Sequence, residues 1–143
     1  MVGELLMEST MDRRQSERYE TPSIPVQISD IDGNMIDLSL TGAAVVHRSP
    51  IKPGTACTLI FPSYGGIYIP CQVLRSLVQV RQAERGSEYF FRSAISFLPM
   101  SENEKGPLEE FITIQMERLD RIKAEFRAAR ERESHEAESA ESS

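Results

Sequence analysis

Apolar and polar residues alternate along the central part of the chain. In the run SIPVQIS, the residues Ile24, Val26 and Ile28 fall on one face, which is typical of a half-buried strand. Asp32 and Gly33 follow, and this pair predicts a tight hairpin turn with glycine at positive φ. Five further strands are predicted from runs bounded by turn residues, at 34–39, 42–47, 55–61, 67–81 and 89–98. Because no helical pattern separates these runs, we predict an antiparallel sandwich or small barrel.

The apolar period lengthens after residue 104. Pro107 stands where a first helical residue is tolerated, and the run that follows predicts an amphipathic helix over residues 105–132. The end of the chain, RERESHEAESAESS, has no apolar stripe, so residues 133–143 are predicted to form a disordered acidic tail. The apolar positions of the helix are Leu108, Phe111, Ile112, Leu119, Ile122 and Phe126.

The apolar stripe of this helix allows two interpretations. It can cover an open end or one face of the β-domain, which needs only a short helix. The stripe also follows a heptad alternation as far as Phe126, with Lys105 and Gln115 as polar interruptions. The second interpretation is a short coiled coil that links subunits into a homo-oligomer.

Composition narrows the function classes. The chain has 143 residues and 40% hydrophobic content, enough for one modest core, so we expect one domain with tails. Its 16 basic and 22 acidic residues give a net charge of −6. This balance argues against a general attraction to nucleic acid or to an anionic membrane. Any binding of phosphate groups must therefore depend on a local cluster of cations.

Targeting signals and metal ligands are not evident. The N-terminal residues lack the basic region and long apolar run of a secretory signal, and no run of about eighteen apolar residues occurs, so a cytoplasmic protein is expected. Cys57 and Cys71 are then expected as reduced thiols. They flank the turn-like FPSYGG, so a hairpin can place them opposite each other and a cross-strand disulfide stays geometrically open. His47 and His135 stand at no ligand spacing to either cysteine, and no zinc site is predicted.

Two short motifs carry the candidate chemistry. Residues 1–12 have no periodic apolar pattern and are predicted to be flexible, and RRQSER follows with three arginines, at Arg13, Arg14 and Arg18. Alone, these arginines could simply face water. The second motif, DLSLTG at 37–42, could be a turn in which the Asp and Ser side chains bond nearby amides and the glycine supplies an unusual backbone angle.

The same second motif also suits a guanine. Asp37 can accept hydrogen bonds from the ring N1–H and from the exocyclic amine, and Ser39 adds a hydroxyl. Gly42 can let a ligand approach the backbone. An arginine fork can bind a phosphate, pair with guanine O6 and N7, or stack on a purine. The two motifs together therefore indicate a divided nucleotide site.

In order and spacing, RRQSER and DLSLTG resemble the two signatures of the PilZ domain, RxxxR and [DN]xSxxG. The resemblance implies a mostly β fold, a six-stranded antiparallel barrel over residues 13–104 that includes the arginine segment, with the long C-terminal helix after it. It implies binding of cyclic di-GMP, a bacterial second messenger. No metal is expected. An arginine directly before the first motif implies two stacked ligand molecules per domain. The implied ligand-binding residues are Arg13, Arg14, Arg18, Asp37, Ser39 and Gly42.

The resemblance implies a receptor rather than an enzyme, and no nucleophile with a base, Walker loop or Rossmann glycine pattern is present. The expected mechanism is ordering of the arginine segment over the ligand, which creates a surface that a protein partner reads. Control of motility or of exopolysaccharide synthesis is common in the family. Two alternatives remain: a ligand-independent adaptor or oligomerisation module, and a small-barrel protein that binds single-stranded nucleic acid.

Overall fold

The structure is a computed structural model that describes residues 21–141. Six strands, all paired antiparallel, form a closed barrel in the order β1-β2-β3-β6-β5-β4, and one helix follows them. The predicted fold class, a six-stranded antiparallel barrel with a long C-terminal helix, is confirmed. The elements are β1 (Ile24–Ile28), β2 (Ile31–Leu38), β3 (Gly42–His47), β4 (Ala56–Ile60), β5 (Tyr68–Ala83), β6 (Gly86–Phe97) and α1 (Glu102–Glu141).

The pairing of β1 with β4 closes the barrel through a short seam. Its register contains only Gln27 opposite Ile60 and Ile28 opposite Leu59. The backbone N–H of Ser29 extends the seam by donating to the carbonyl of Thr58 at 2.8 Å. The seam pairs only one end of each strand, and it closes the ring of six strands.

The inward positions of all six strands fill the core, as the alternating pattern predicts. Full burial of each large aliphatic side chain stabilises the fold by about 1.5–3 kcal/mol. The buried apolar side chains of the strands include Ile24, Val26, Ile28, Met35, Val45, Leu59, Ile69, Cys71, Val73 and Ile95.

The first hairpin turn lies elsewhere than predicted. Ile28 pairs with Ile31, so Ser29 and Asp30 form a two-residue turn, and Ser29 adopts the positive φ of 54°. The prediction of an Asp32–Gly33 turn is wrong. The observed register places Ile24 opposite Met35 and Ile28 opposite Ile31, which keeps Ile24, Ile28 and Met35 on the inner face.

Helix α1 begins earlier and ends later than predicted. The N–H groups of Glu104 and Lys105 donate to the carbonyl of Ser101 at 3.0 and 2.9 Å, so the first turn forms before Pro107, which lies inside the helix. At the other end the helix continues to Glu141, where a disordered tail was predicted. The last part of α1 is rich in Ala, Glu and Arg, which have high helix propensity and sustain a helix without an apolar stripe.

The apolar stripe of α1 packs on the barrel. Ile112 and Leu119 are buried in the core, and the ring of Phe111 meets that of Phe61 edge to face at 5.0 Å between centroids. Ile122 also packs against the core. The first interpretation of the helix, as a cover for the barrel, is therefore what the structure has.

Most apolar positions of the predicted heptad therefore contact the barrel of the same chain. Lys105 is exposed, and Phe126, the last heptad member, lies partly under the guanidinium of Arg130 at 5.5 Å from the ring centroid. A coiled coil between subunits stays a prediction. In the part of the chain that the structure describes, no helix has the length and apolar character needed to span a membrane.

The other polar member of the heptad, Gln115, is fully buried. Its Oε1 accepts a long hydrogen bond of 3.4 Å from Arg118, and among the described residues its Nε2 has no hydrogen-bond partner. A buried amide donor without a partner carries a desolvation cost of about 1–3 kcal/mol. Gln115 therefore opposes the docking of α1 that its apolar neighbours favour.

The substitution Gln115→Met removes the buried amide and keeps the length of the side chain. We expect it to raise the free energy of unfolding by about 1–3 kcal/mol, measured by chemical denaturation. Lys105→Met, at the exposed polar member of the same heptad, is the control and should change stability by less than about 0.5 kcal/mol. A destabilised Gln115→Met protein would contradict this account.

Candidate functional site

Asp37 lies at the end of β2 and points away from the core. Met35 pairs with Val45 and Asp37 pairs with Ala44, so a β-bulge between Met35 and Asp37 adds one residue to β2. Without the bulge, two residues that are two positions apart would share a face of the sheet. The bulge therefore lets Met35 stay fully buried while the Asp37 side chain is 59% exposed on the outer surface.

The Asp37 carboxylate forms ion pairs with two other elements. Its Oδ1 is 3.0 Å from Nζ of Lys123 on α1, and its Oδ2 is 3.4 Å from Nη2 of Arg92 on β6. The side chains of Lys123 and Arg92 are 32% and 44% exposed. Exposed pairs of this kind stabilise a fold by only about 0–1 kcal/mol each. Their main effect is to bring β2, β6 and α1 together at one carboxylate.

Ser39 organises the loop between β2 and β3. Its backbone N–H donates to the carbonyl of Gly42 at 2.9 Å. Its Oγ accepts from the N–H groups of Thr41 at 3.3 Å and of Gly42 at 3.2 Å. The turn interpretation of the motif is thus correct for Ser39. For Asp37 it is wrong, because its carboxylate accepts from the side chains of Arg92 and Lys123 rather than from loop amides.

Gly42 has a packing role rather than an unusual backbone angle. Among residues 21–141, positive φ occurs at Ser29 and at three other glycines, and Gly42 is not one of them. It pairs with Ser96 where β3 meets β6, and a Cβ on it would lie 2.2 Å from the carbonyl oxygen of Ile95. The expected positive φ at Gly42 is therefore wrong. The residue is glycine because two backbones approach closely.

A groove of 740 Å³ is lined by residues of β1, β2, β3 and β6, and Asp37, Ser39 and Gly42 are not among them. Its lining includes Asn34 and Ile36, outward neighbours of Asp37 on β2, together with Phe90, over whose ring the Arg48 guanidinium lies at 5.0 Å. The first described residue, Thr21, also lines it. The predicted ligand residues Arg13, Arg14 and Arg18 lie outside the described residues, so the structure brings together only Asp37, Ser39 and Gly42.

The sequence did not indicate that Arg92 and Lys123 lie beside Asp37. Arg92 occupies an outward position on β6, so strand alternation together with knowledge of the β3–β6 pairing could have placed it near the site. Lys123 lies 86 residues after Asp37, and its position depends on how α1 docks. No local pattern in the sequence predicts how α1 docks on the barrel.

A hydrogen-bonded chain of His47, Ser93 and Ser76 lies inside the barrel. His47 Nδ1 donates to the carbonyl of Ser49 at 2.8 Å, and its Nε2 lies 2.6 Å from Ser93 Oγ. Ser93 in turn is 3.0 Å from Ser76 Oγ. His47 and Ser93 are 3% and 0% exposed, so this pair is shielded from solvent. Among the described residues no group of three metal-ligating side chains occurs.

The two cysteines face each other across β4 and β5. Cys57 pairs directly with Cys71, as the predicted hairpin requires, and both are free thiols. A hydrogen bond between the thiols and burial both raise the pKa of Cys71, and the same hydrogen bond lowers the pKa of the more exposed Cys57. The pair lies on β4–β5, on different strands from the Asp37 motif.

Gly42→Ala should strongly destabilise the protein. The new methyl group would overlap the Ile95 carbonyl, and backbone cannot move aside as a flexible side chain can. We expect a loss of about 2 kcal/mol or more in the free energy of unfolding, measured by chemical denaturation. Gly65→Ala is the control, because a Cβ there meets nothing within 4 Å. Equal stability of the two variants would refute the packing role of Gly42.

His47 should make stability depend on pH. Burial lowers the pKa of His47 from its ordinary 6.5, so the folded state holds the neutral ring and the unfolded state binds the proton first. The free energy of unfolding should therefore fall as pH decreases from 6.5 toward the lower folded-state pKa. Denaturation between pH 8 and 5 measures this loss, and NMR titration measures the ring pKa. His135→Gln should keep the pH slope, whereas His47→Asn should flatten it.

Comparison with known proteins agrees with this geometry. A family profile described as the PilZ domain matches residues 12–113. The fold is similar to the PilZ domain with c-di-GMP of YcgR from Escherichia coli, with a TM-score of 0.51 and 17% sequence identity, covering 73% of this chain and 88% of that chain. No match was found among curated proteins. A family match over this length, on a closed six-stranded barrel with the second motif at the β2–β3 loop, means that the chain belongs to the PilZ domain family.

Proposed function

We propose that this protein is a cyclic di-GMP receptor of the bacterial cytoplasm. The observation that carries the proposal is the exposed Asp37 carboxylate, which the β2 bulge turns outward beside the Ser39–Gly42 loop. Membership of the PilZ family supports it, as does the fold shared with the PilZ domain with c-di-GMP of YcgR. The role of the receptor is binding rather than catalysis.

The ligand carries two phosphates and two guanines, and different residues of the proposed site bind these groups. Asp37 accepts hydrogen bonds from a guanine N1–H and exocyclic amine. Arg13, Arg14 and Arg18 bind phosphates or stack on and pair with the bases. Ser39 and Gly42 contribute by shaping the loop beside Asp37, since the Ser39 Oγ already accepts two loop N–H groups.

Covalent reach supports a clamp formed by the arginine segment. Thr21 lines the groove, and an extended chain spans about 3.3–3.6 Å per residue. Arg18 can therefore lie no farther than roughly 10 Å from Thr21, and Arg14 no farther than roughly 25 Å. Because Ile24 pairs with Met35, the chain enters β1 beside the end of β2 that carries Asp37. Binding of the anionic ligand orders this segment against the barrel.

The ordered segment, the ligand and the end of β2 then form one composite surface. A protein partner that contacts all three reads the concentration of the messenger, and control of motility or exopolysaccharide synthesis is the expected output. Ordering the segment costs part of the gross binding energy. A dissociation constant near micromolar, about −8 kcal/mol, is consistent with that cost.

The double substitution Arg14→Ala with Arg18→Ala tests the clamp. Each lost charge-assisted contact costs about 1.5–3 kcal/mol, so we expect affinity for cyclic di-GMP to fall by about 100-fold or more in titration calorimetry. Arg121→Ala with Arg127→Ala removes the same charge from exposed positions of α1 and should bind as the wild type does.

The same titrations identify the ligand and its stoichiometry. Two molecules of cyclic di-GMP per chain are expected from the arginine at position 13, and one per chain would remove that part of the proposal. Unchanged affinity in the Arg14/Arg18 variant would sink the site assignment. Equal affinity of the wild type for GTP or for linear pGpG would sink the ligand assignment.

A further inference from the structure

The pair formed by Lys123 and Asp37 has the chemistry of a guanine reader. We propose that Lys123, on helix α1, donates a hydrogen bond to the O6 atom of the guanine that Asp37 holds, and so selects guanine over adenine. The inference rests on the proposed function and adds to it a specificity residue outside both sequence motifs.

The Watson–Crick edge of guanine presents one acceptor and two donors side by side. O6 accepts, while N1–H and the exocyclic amine donate. A carboxylate accepts only from the two donors, so O6 needs a separate donor next to the carboxylate oxygen that takes N1–H. An acidic side chain alone therefore leaves the most polar atom of this edge without a partner.

Lys123 supplies a donor at that position. Its Nζ is 3.0 Å from Oδ1 of Asp37, and an ammonium group has three donors. One N–H can keep the ion pair while another points to O6 of a guanine whose N1–H donates to Oδ1. Asp37 has about four acceptor sites, so it can accept from the guanine without releasing Lys123.

The position of Lys123 is fixed better than that of an ordinary surface lysine. It directly follows Ile122, which packs against the core, and it lies one helical turn after the buried Leu119. Its side chain is 32% exposed, compared with 44% for Arg92, whose Nη2 is also farther from the carboxylate, at 3.4 Å. Lys123 is therefore the better placed of the two cations to hold O6.

The arrangement rejects adenine on chemical grounds. Adenine has an amine in place of O6 and an acceptor in place of N1–H. An adenine in the same pose would set its amine against the ammonium and its N1 against the carboxylate, so both contacts would be unfavourable. Hypoxanthine keeps O6 and N1–H and lacks only the exocyclic amine, which makes it a useful intermediate probe.

The test compares Lys123→Met with the wild type in calorimetric or competition titrations of the full chain against cyclic di-GMP, cyclic di-IMP and cyclic di-AMP. We expect affinity for the first two to fall by the same factor, about 10-fold or more, with no loss for cyclic di-AMP. Lys105→Met, an exposed position on the same helix, is the control and should leave all three affinities unchanged. Lys123→Arg keeps a charged donor and should retain most of the affinity for cyclic di-GMP.

These titrations distinguish the role of Lys123 from the binding of cyclic di-GMP itself. An equal loss for all three dinucleotides would assign Lys123 to the phosphates and overturn the inference. So would unchanged binding in Lys123→Met, or a selective loss found in Arg92→Met instead. A wild-type chain that binds no cyclic di-GMP would refute the proposed function and the inference together, whereas a wild type that binds, with an unaffected Lys123→Met, refutes the inference alone.

Discussion

The β-bulge in β2 is the constraint on which the candidate site depends. The sheet must keep Met35 in the core, and it must also present Asp37 to the outside only two residues later. A regular strand cannot do both, because its side chains alternate with a period of two. The extra residue reverses the alternation at the end of the strand. The core therefore determines where the carboxylate points, and the cations of β6 and α1 meet it there.

The sequence predicts the parts of this structure that follow from local pattern. Alternation of apolar residues placed all six strands, because inward side chains such as Ile24 and Ile28 have no other way to be buried. The prediction of a hairpin turn at Asp32–Gly33 was wrong, because it depended on turn-forming residue types alone. The register of the buried faces decided the turn at Ser29–Asp30 instead, which shows tertiary packing overriding local turn preference.

The candidate site was predicted only where it is contiguous in sequence. The motif from Asp37 to Gly42 could be found, but the reason for its glycine could not, since the close neighbour is the Ile95 carbonyl on another strand. The same holds for Lys123, which reaches Asp37 only because Ile112, Leu119 and Ile122 seat α1 on the barrel. Long-range contacts of this kind depend on docking geometry, which composition and periodicity do not contain.

Helix α1 extends well beyond the part that packs on the barrel. The helix has 40 residues, and at 1.5 Å per residue roughly 18 of them extend past Lys123 over about 27 Å. The last barrel contacts, near Ile122, thus act as a fulcrum with a long arm beyond it. A tilt of about 10° at that fulcrum moves the far end by about 5 Å, as follows from an arm of that length. A small change in how α1 docks beside the carboxylate would therefore produce a larger displacement at the far end of the helix.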